Sequence, residues 1–158
     1  MMNPVYAHTR FATDTATLAI FDPACLAHRA ADTADWWSLA EDEVLEINLG
    51  HVLFANLGSD GDYDVEVYQG LGRSGLVEGV AARLHVRSGC LYIGAGEQVP
   101  ADGLGPETVY GGVLLFAQCG TVDVRVFRPT PERLVVEYAP SSEVAGNAFA
   151  ATPRLPMP

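Results

Sequence analysis

Residues 54–70, FANLGSDGDYDVEVYQG, place Asp60, Asp62 and Asp64 at D-x-D-x-D spacing, the pattern that opens a calcium loop. Such a loop also needs glycine at its sixth position and a bidentate glutamate at its twelfth. Counted from Asp60, those positions hold Val65 and Leu71, so both requirements fail. The segment instead alternates with period two, and Asp60-Gly61 falls between two apolar stretches, which is a hairpin signal because glycine accepts the positive φ of a tight turn. On that reading Asp62, Asp64 and Glu66 stand in a row on the outer face of one strand, and the carboxylates supply charge rather than coordination.

Other residue types capable of chemistry are present without the spacing that chemistry requires. His8, His28, His51 and His85 form no H-x-H or HExxH pattern, so no metal site is expected. No G-x-S-x-G elbow exists for a nucleophile. GLGRSG at 70–75 has the glycines of a phosphate loop but not its lysine, and reads as a flexible linker. Cys25, Cys90 and Cys119 are odd in number and include no CxxC, which agrees with small buried thiols in a reducing compartment. No catalytic residue and no cofactor is expected.

Charge is the most informative property. All nine basic residues are arginine, against twenty acids. Residues 1–70 hold twelve acids and two arginines, a balance of −10, whereas residues 71–158 hold eight acids and seven arginines, a balance of −1. A field of that sign repels nucleic acid and anionic membranes and attracts cationic partners. The sharpest concentration follows Trp36 and Trp37 in DTADWWSLAEDEVLEIN. Adjacent residues on a helix point about 100° apart, so one indole is expected inside and the other at the surface. An exposed tryptophan beside Glu41, Asp42 and Glu43 is the composition of an interface anchor with a steering rim. The candidate partner-binding set is therefore Trp36, Trp37, Glu41, Asp42, Glu43, Asp60, Asp62 and Asp64.

The elements that must position these residues are mostly strands. TLAIF (17–21), VLEIN (44–48), HVLFANL (51–57), DYDVEVYQ (62–69), ARLHVR (82–87), CLYIG (90–94), GVLLFAQ (112–118), TVDVRVFR (121–128) and RLVVEY (133–138) all carry strand patterning. One short helix is expected after Asp22-Pro23, where an aspartate cap meets a first-turn proline, and another over DWWSLAEDE from near Asp35. The two strongest hairpins resemble each other: Gly50 aligns with Gly112 when Phe54-Ala55 is laid on Phe116-Ala117. These patterns give an all-β fold with minor α content, a β-sandwich of two similar halves (about 11–70 and 80–139) facing each other. The single domain spans residues 1–140, and residues 141–158 form an irregular tail. No run approaches the ~18 apolar residues of a membrane span, and the N-terminus lacks the pattern of a secretory signal, so a cytoplasmic location is expected.

The segments FATDTATLAIFDPACLAHR, DWW and LGSDGDYDVEV resemble an uncharacterised family of small bacterial all-β proteins in which a TDTATLA[IV]FDP opening precedes a tryptophan pair and a GxDGxYxV hairpin. The resemblance covers most of the chain and carries no catalytic residue with it. In its general character the chain also looks like acidic immunity proteins encoded beside bacterial toxins, which implies neutralisation by occlusion. The functional expectation is a non-enzymatic, acidic binding protein that covers a basic surface on a protein partner such as a secreted toxin. Two alternatives stand beside it. One is a small β-barrel enzyme or ligand-binding module with a pocket between the sheets lined by His51, His85, Tyr92 and Tyr110, and the other is a homo-oligomeric structural protein.

Overall fold

The computed structural model describes residues 4–101, 106 and 111–158, and the chain folds as two stacked β-sheets with a helical layer on one outer face. In chain order the strands are β1 Ala7–Thr13, β2 Thr17–Phe21, β3 Leu53–Asn56, β4 Gly61–Gln69, β5 Val80–Val86, β6 Cys90–Ala95, β7 Val113–Phe116, β8 Gly120–Thr130 and β9 Arg133–Ser141. One sheet has the order β1-β4-β9-β8-β5 and the other β3-β2-β6-β7. Between them lies the main core: Val65 and Val67 of β4, Val122, Val124 and Val126 of β8, and Leu134 and Val136 of β9 meet Leu18, Ile20, Leu53, Leu91 and Ile93. The period-two alternation of β4 and β8 sends every second valine into this layer.

The pairing exposes an internal repeat. β1 pairs with β4 and β2 with β3; β5 pairs with β8 and β6 with β7. All four pairings are antiparallel, and β2 joins β6 antiparallel at the middle of the smaller sheet. The two halves therefore do not face each other, as the sequence suggested. Each contributes two strands to each sheet and they lie side by side, because a hairpin strand that leaves one sheet enters the other. The larger sheet is completed by β9, which inserts between β4 and β8, parallel to the first and antiparallel to the second.

The connection from β2 to β3 carries the helical layer. Asp22 accepts a bond from the Ala24 amide (3.0 Å) and caps a 3-10 helix at Pro23–Arg29. A second 3-10 turn covers Trp36–Ser38, and α1 covers Ala40–Asn48. The expected single helix over DWWSLAEDE is broken at Leu39, whose backbone is extended. VLEIN, expected as a strand, lies inside α1. Its buried residues are the adjacent Glu46 and Ile47, while Leu45 is exposed; that is a helical face, and the first-turn acids Glu41, Asp42 and Glu43 suit the positive end of the helix dipole.

Residues beyond β9 contain no further named strand or helix, yet they are tied down. Asn147 donates to the carbonyls of Ile47 (2.8 Å) and Arg83 (3.1 Å), which occupies a carbonyl at the C-terminal end of α1. Asn48 and Phe149 exchange two bonds, at 3.0 and 2.8 Å. Asn56 on β3 then donates its amide to the Pro153 carbonyl and accepts the Leu155 amide, at 2.9 Å each, so this strap covers the free edge of β3. No helix among the described residues is long and apolar enough to cross a membrane.

Candidate functional site

The face that carries most of the sequence-derived residues is the helical layer. Trp36 and Trp37 are both buried, at 3% and 6% exposure, which corrects the expectation of an exposed indole anchor. The two rings straddle one residue on the outer face of the smaller sheet: Trp37 stacks on Phe54 (5.8 Å, 23°) and Trp36 meets it edge-on (6.4 Å, 69°). The Trp36 indole N–H donates to the Pro100 carbonyl at 3.0 Å, and the Arg29 guanidinium lies 4.5 Å from the ring centre. A sheet face and a helix underside form a groove wide enough for both indoles. The tryptophans hold the layer in place.

Arg29 organises the acids above them. It bonds Asp32 (3.1 Å), Asp42 (3.1 Å) and the fully buried Glu46 (3.0 Å). Glu46 also receives His28 Nε2 on Oε1 at 2.7 Å and His51 Nδ1 on Oε2 at 2.6 Å. Burial alone would push the Glu46 carboxyl up, but these donors hold it below its ordinary value. Asp42 is thus partly neutralised. Glu43 is half-buried and its carboxyl is raised by burial, although the Thr152 hydroxyl donates to it. Glu41 is exposed and is a member of none of these pairs. Spaced four residues apart, Glu41, Leu45 and Leu49 share one stripe of α1, and Leu39, Leu45 and Leu49 are 59%, 50% and 47% exposed. Beside the stripe runs a cleft of about 460 Å³ lined by Ala40, Val44, Leu45, Ala150 and Ala151.

The second acidic group lies on the opposite side of the sandwich. Asp62, Asp64 and Glu66 form the outward row of β4, while Tyr63, Val65 and Val67 point in. The register sets Arg10 of β1 and Arg133 of β9 across from Asp64. Arg10 lies 3.9 Å from Asp64, and Arg133 takes Glu66 in a fork at 2.8 and 2.9 Å. That pairing holds the Glu66 carboxyl below its ordinary value. Asp60 and Asp62 remain exposed, and Asp60 lies close enough to Asp14 to raise its carboxyl, after the larger effects of Glu97 and burial. Sequence reasoning missed Asp14 and Glu97. Thr13 donates to Glu97 at 2.7 Å and the Asp14 amide at 3.0 Å, a cluster joined across more than eighty residues that no local motif could show. The eight candidate residues therefore divide between two faces rather than forming one patch.

Two further expectations are corrected. Among the described residues, the space between the sheets where a pocket lined by His51, His85 and Tyr92 was expected holds packed apolar side chains, and Tyr92 sits in the outer cluster against Phe21, donating its hydroxyl to Gly111 at 3.0 Å. Burial pushes that phenol up to about 12. His51 and His85 do approach, at 6.0 Å between ring centres, and Tyr110 lies outside the described residues. The GLGRSG segment is not a loose linker either. The amides of Gly72 (2.9 Å) and Ser74 (2.8 Å) and the Ser74 hydroxyl (2.5 Å) all donate to the buried carboxylate of Glu137 on β9. It binds an anion as a phosphate loop would, but the anion belongs to the chain itself.

The chain belongs to a family of unknown function (DUF6386), which matches residues 5–152. No curated protein matches it. Among solved structures it is similar to ComJ from Bacillus subtilis, an inhibitor of the DNA-degrading activity of NucA, at 9% identity and a TM-score of 0.56 over 89% of this chain and 100% of that one. It is also similar to the product of crocagin biosynthetic gene J, at 11% identity and a TM-score of 0.54 over 85% and 97%. At these identities the likeness establishes a shared fold.

Proposed function

We propose that the protein is a non-enzymatic inhibitor that occludes a basic surface on a protein partner, in the manner of an immunity protein facing a toxin. The observation that carries this reading is the exposed stripe of α1. Leu45 and Leu49 supply apolar contact, Glu41 supplies charge on the same line, and the cleft beside them accepts an inserted side chain. An interface of this composition buries an apolar centre inside a steering acidic rim. The net charge of −11 adds long-range attraction for a cationic surface, and basic clefts are where nucleases hold their phosphates. A shared fold with a nuclease inhibitor supports the same direction. Asp60, Asp62 and Asp64, with Asp42 and Glu43, act as the outer field that speeds encounter in the cytoplasm, and the buried tryptophans set the angle of α1.

The test is a binding experiment with the partner captured from the source bacterium and purified. Reversal of three exposed acids, Glu41→Lys with Asp60→Lys and Asp62→Lys, is expected to lower the association rate about tenfold at low salt and to flatten its salt dependence. Leu45→Asp is expected to raise the dissociation rate instead. Unchanged rates in both variants would refute the interface. A protein that yields no partner, and that scatters light as a homo-oligomer through the same stripe, would refute the inhibitor.

A further inference from the structure

We propose that His28, Glu46 and His51 form a binding site for a single divalent transition-metal ion of the zinc class. Their ligating atoms, one from each residue, all lie within 4.8 Å of one another. Two imidazoles and a carboxylate are the donor set that zinc and its neighbours in the series prefer. The set comes from three separately fixed places: the end of the first 3-10 helix, the interior of α1, and the turn into β3. The last is pinned, because the His51 amide donates to the Glu46 carbonyl at 3.0 Å. Before it, Gly50 holds φ +79° in a space where an added Cβ would meet the Gly146 nitrogen at 3.0 Å.

Charge is the stronger argument. Arg29 is shared by Asp32, Asp42 and Glu46, one cation among three carboxylates. With both imidazoles neutral the cluster carries −2, around a glutamate that is 2% exposed. Asp32 and Asp42 are 41% and 33% exposed, but the buried Glu46 has Arg29 as its one permanent cation among the described residues, and shares it. A divalent ion restores neutrality. Arg29 need not move, since its Nε holds Oε1 and leaves Oε2 for the metal, the outer-shell arrangement that orients a ligating carboxylate. The His28 side chain is 47% exposed, which gives the ion a path in and leaves water a coordination position. On binding, the proton that each ring now places toward Glu46 either moves to the ring's other nitrogen or leaves for solvent, so uptake releases as many protons as the rings carried in excess of neutral.

The experiment is zinc titration of the chelator-treated protein by calorimetry, with the cobalt(II) absorption spectrum as a second readout. One equivalent is expected to bind, with nitrogen-ligand character in the cobalt spectrum and a raised melting temperature that scales with zinc concentration. His28→Gln and His51→Gln are expected to weaken zinc at least about tenfold. Each variant is melted with and without zinc, and the loss of the zinc-dependent rise, rather than the metal-free melting temperature, separates lost binding from lost folding. No uptake of zinc or cobalt would overturn the proposal. Uptake that survives in both variants would overturn it too, by placing the ion elsewhere. Neither outcome bears on the inhibitor reading, since no partner takes part.

Discussion

The two halves of this molecule share a frame and differ in what they hang on it. β1 to β4 and β5 to β8 repeat one pairing pattern. Between β2 and β3 the first half inserts two 3-10 turns and α1; at the corresponding place after β6 the described residues include one short 3-10 turn, Gly96–Gln98. The insertion carries the larger share of the acidic excess, with seven of the twelve acids of residues 1–70 against Arg29, while four more lie on β4 and the turn before it. Strands pair with strands and need little charge. An inserted layer on an outer sheet face is free to carry it. The comparison teaches that the repeated strands supply stability, and that whatever is particular to this protein resides in the unrepeated segment.

The most forceful way to break that contrast is to remove Glu46. Its carboxylate joins Arg29, His28 and His51 and thereby fastens the first 3-10 helix of the insertion to α1. Glu46→Ala leaves those donors around an apolar methyl. A loss of about 3 kcal/mol is expected, the usual cost of removing one side of a buried charged network, measured by urea unfolding at neutral pH. If the frame is the independent unit, the variant should lose helix signal first and strand signal later, as two transitions. A single transition would show that the halves and the insertion fold as one.

How far such behaviour was legible in the sequence depends on the range of the interactions. β4 and β8 read directly, because valine at every second position is a local pattern with one structural meaning. β1 was missed: AHTRFAT buries only Phe11 and Thr13 well and pairs with residues more than forty positions away. VLEIN misled because its valine and isoleucine suit either element, and only the burial of Glu46 beside Ile47 distinguishes a helix. Charge could be counted but not located. Arg10 and Arg133 reach the β4 acids through sheet register, and His28 and His51 reach Glu46 through the path of the insertion. Neither distance is encoded in spacing.

A sharper comparison uses two glycines at corresponding turns, Gly50 ahead of β3 and Gly112 ahead of β7. Both hold positive φ, at +79° and +84°. At Gly50 an added Cβ would meet backbone nitrogen at 3.0 Å, whereas at Gly112 it would meet the Ile93 carbonyl at 2.7 Å and the Tyr92 hydroxyl at 2.4 Å. Gly50→Ala is expected to cost about 1–2 kcal/mol, mainly conformational strain. Gly112→Ala adds overlap with a carbonyl that cannot retreat, and about 3 kcal/mol is expected. In thermal melts of a chain this size that difference is a few degrees. Equal losses would mean that the two turns are equivalent in surroundings as well as in conformation.

The smallest effect concerns what lies outside the repeat altogether. β9 and the segment joining the halves meet at Glu137, which the Gly72 and Ser74 donors hold below its ordinary carboxyl value of 4.5 even though burial opposes them. A group whose folded value is depressed contributes its stability above the unfolded value and loses it as pH falls through the folded one. That contribution is therefore complete at pH 7 and fades only in acid, below about 4.5. In Glu137→Gln the amide nitrogen brings a donor to a site where three donors already converge, and a loss of about 1–2 kcal/mol at pH 7 is expected. The variant cannot titrate there, so the gap between it and the parent should narrow as the pH is lowered toward about 3. A gap that stayed constant with pH would assign the loss to shape alone and would leave the joining segment held by packing. A narrowing gap would identify one ion as the clasp between the repeated halves and the strand that completes their sheet.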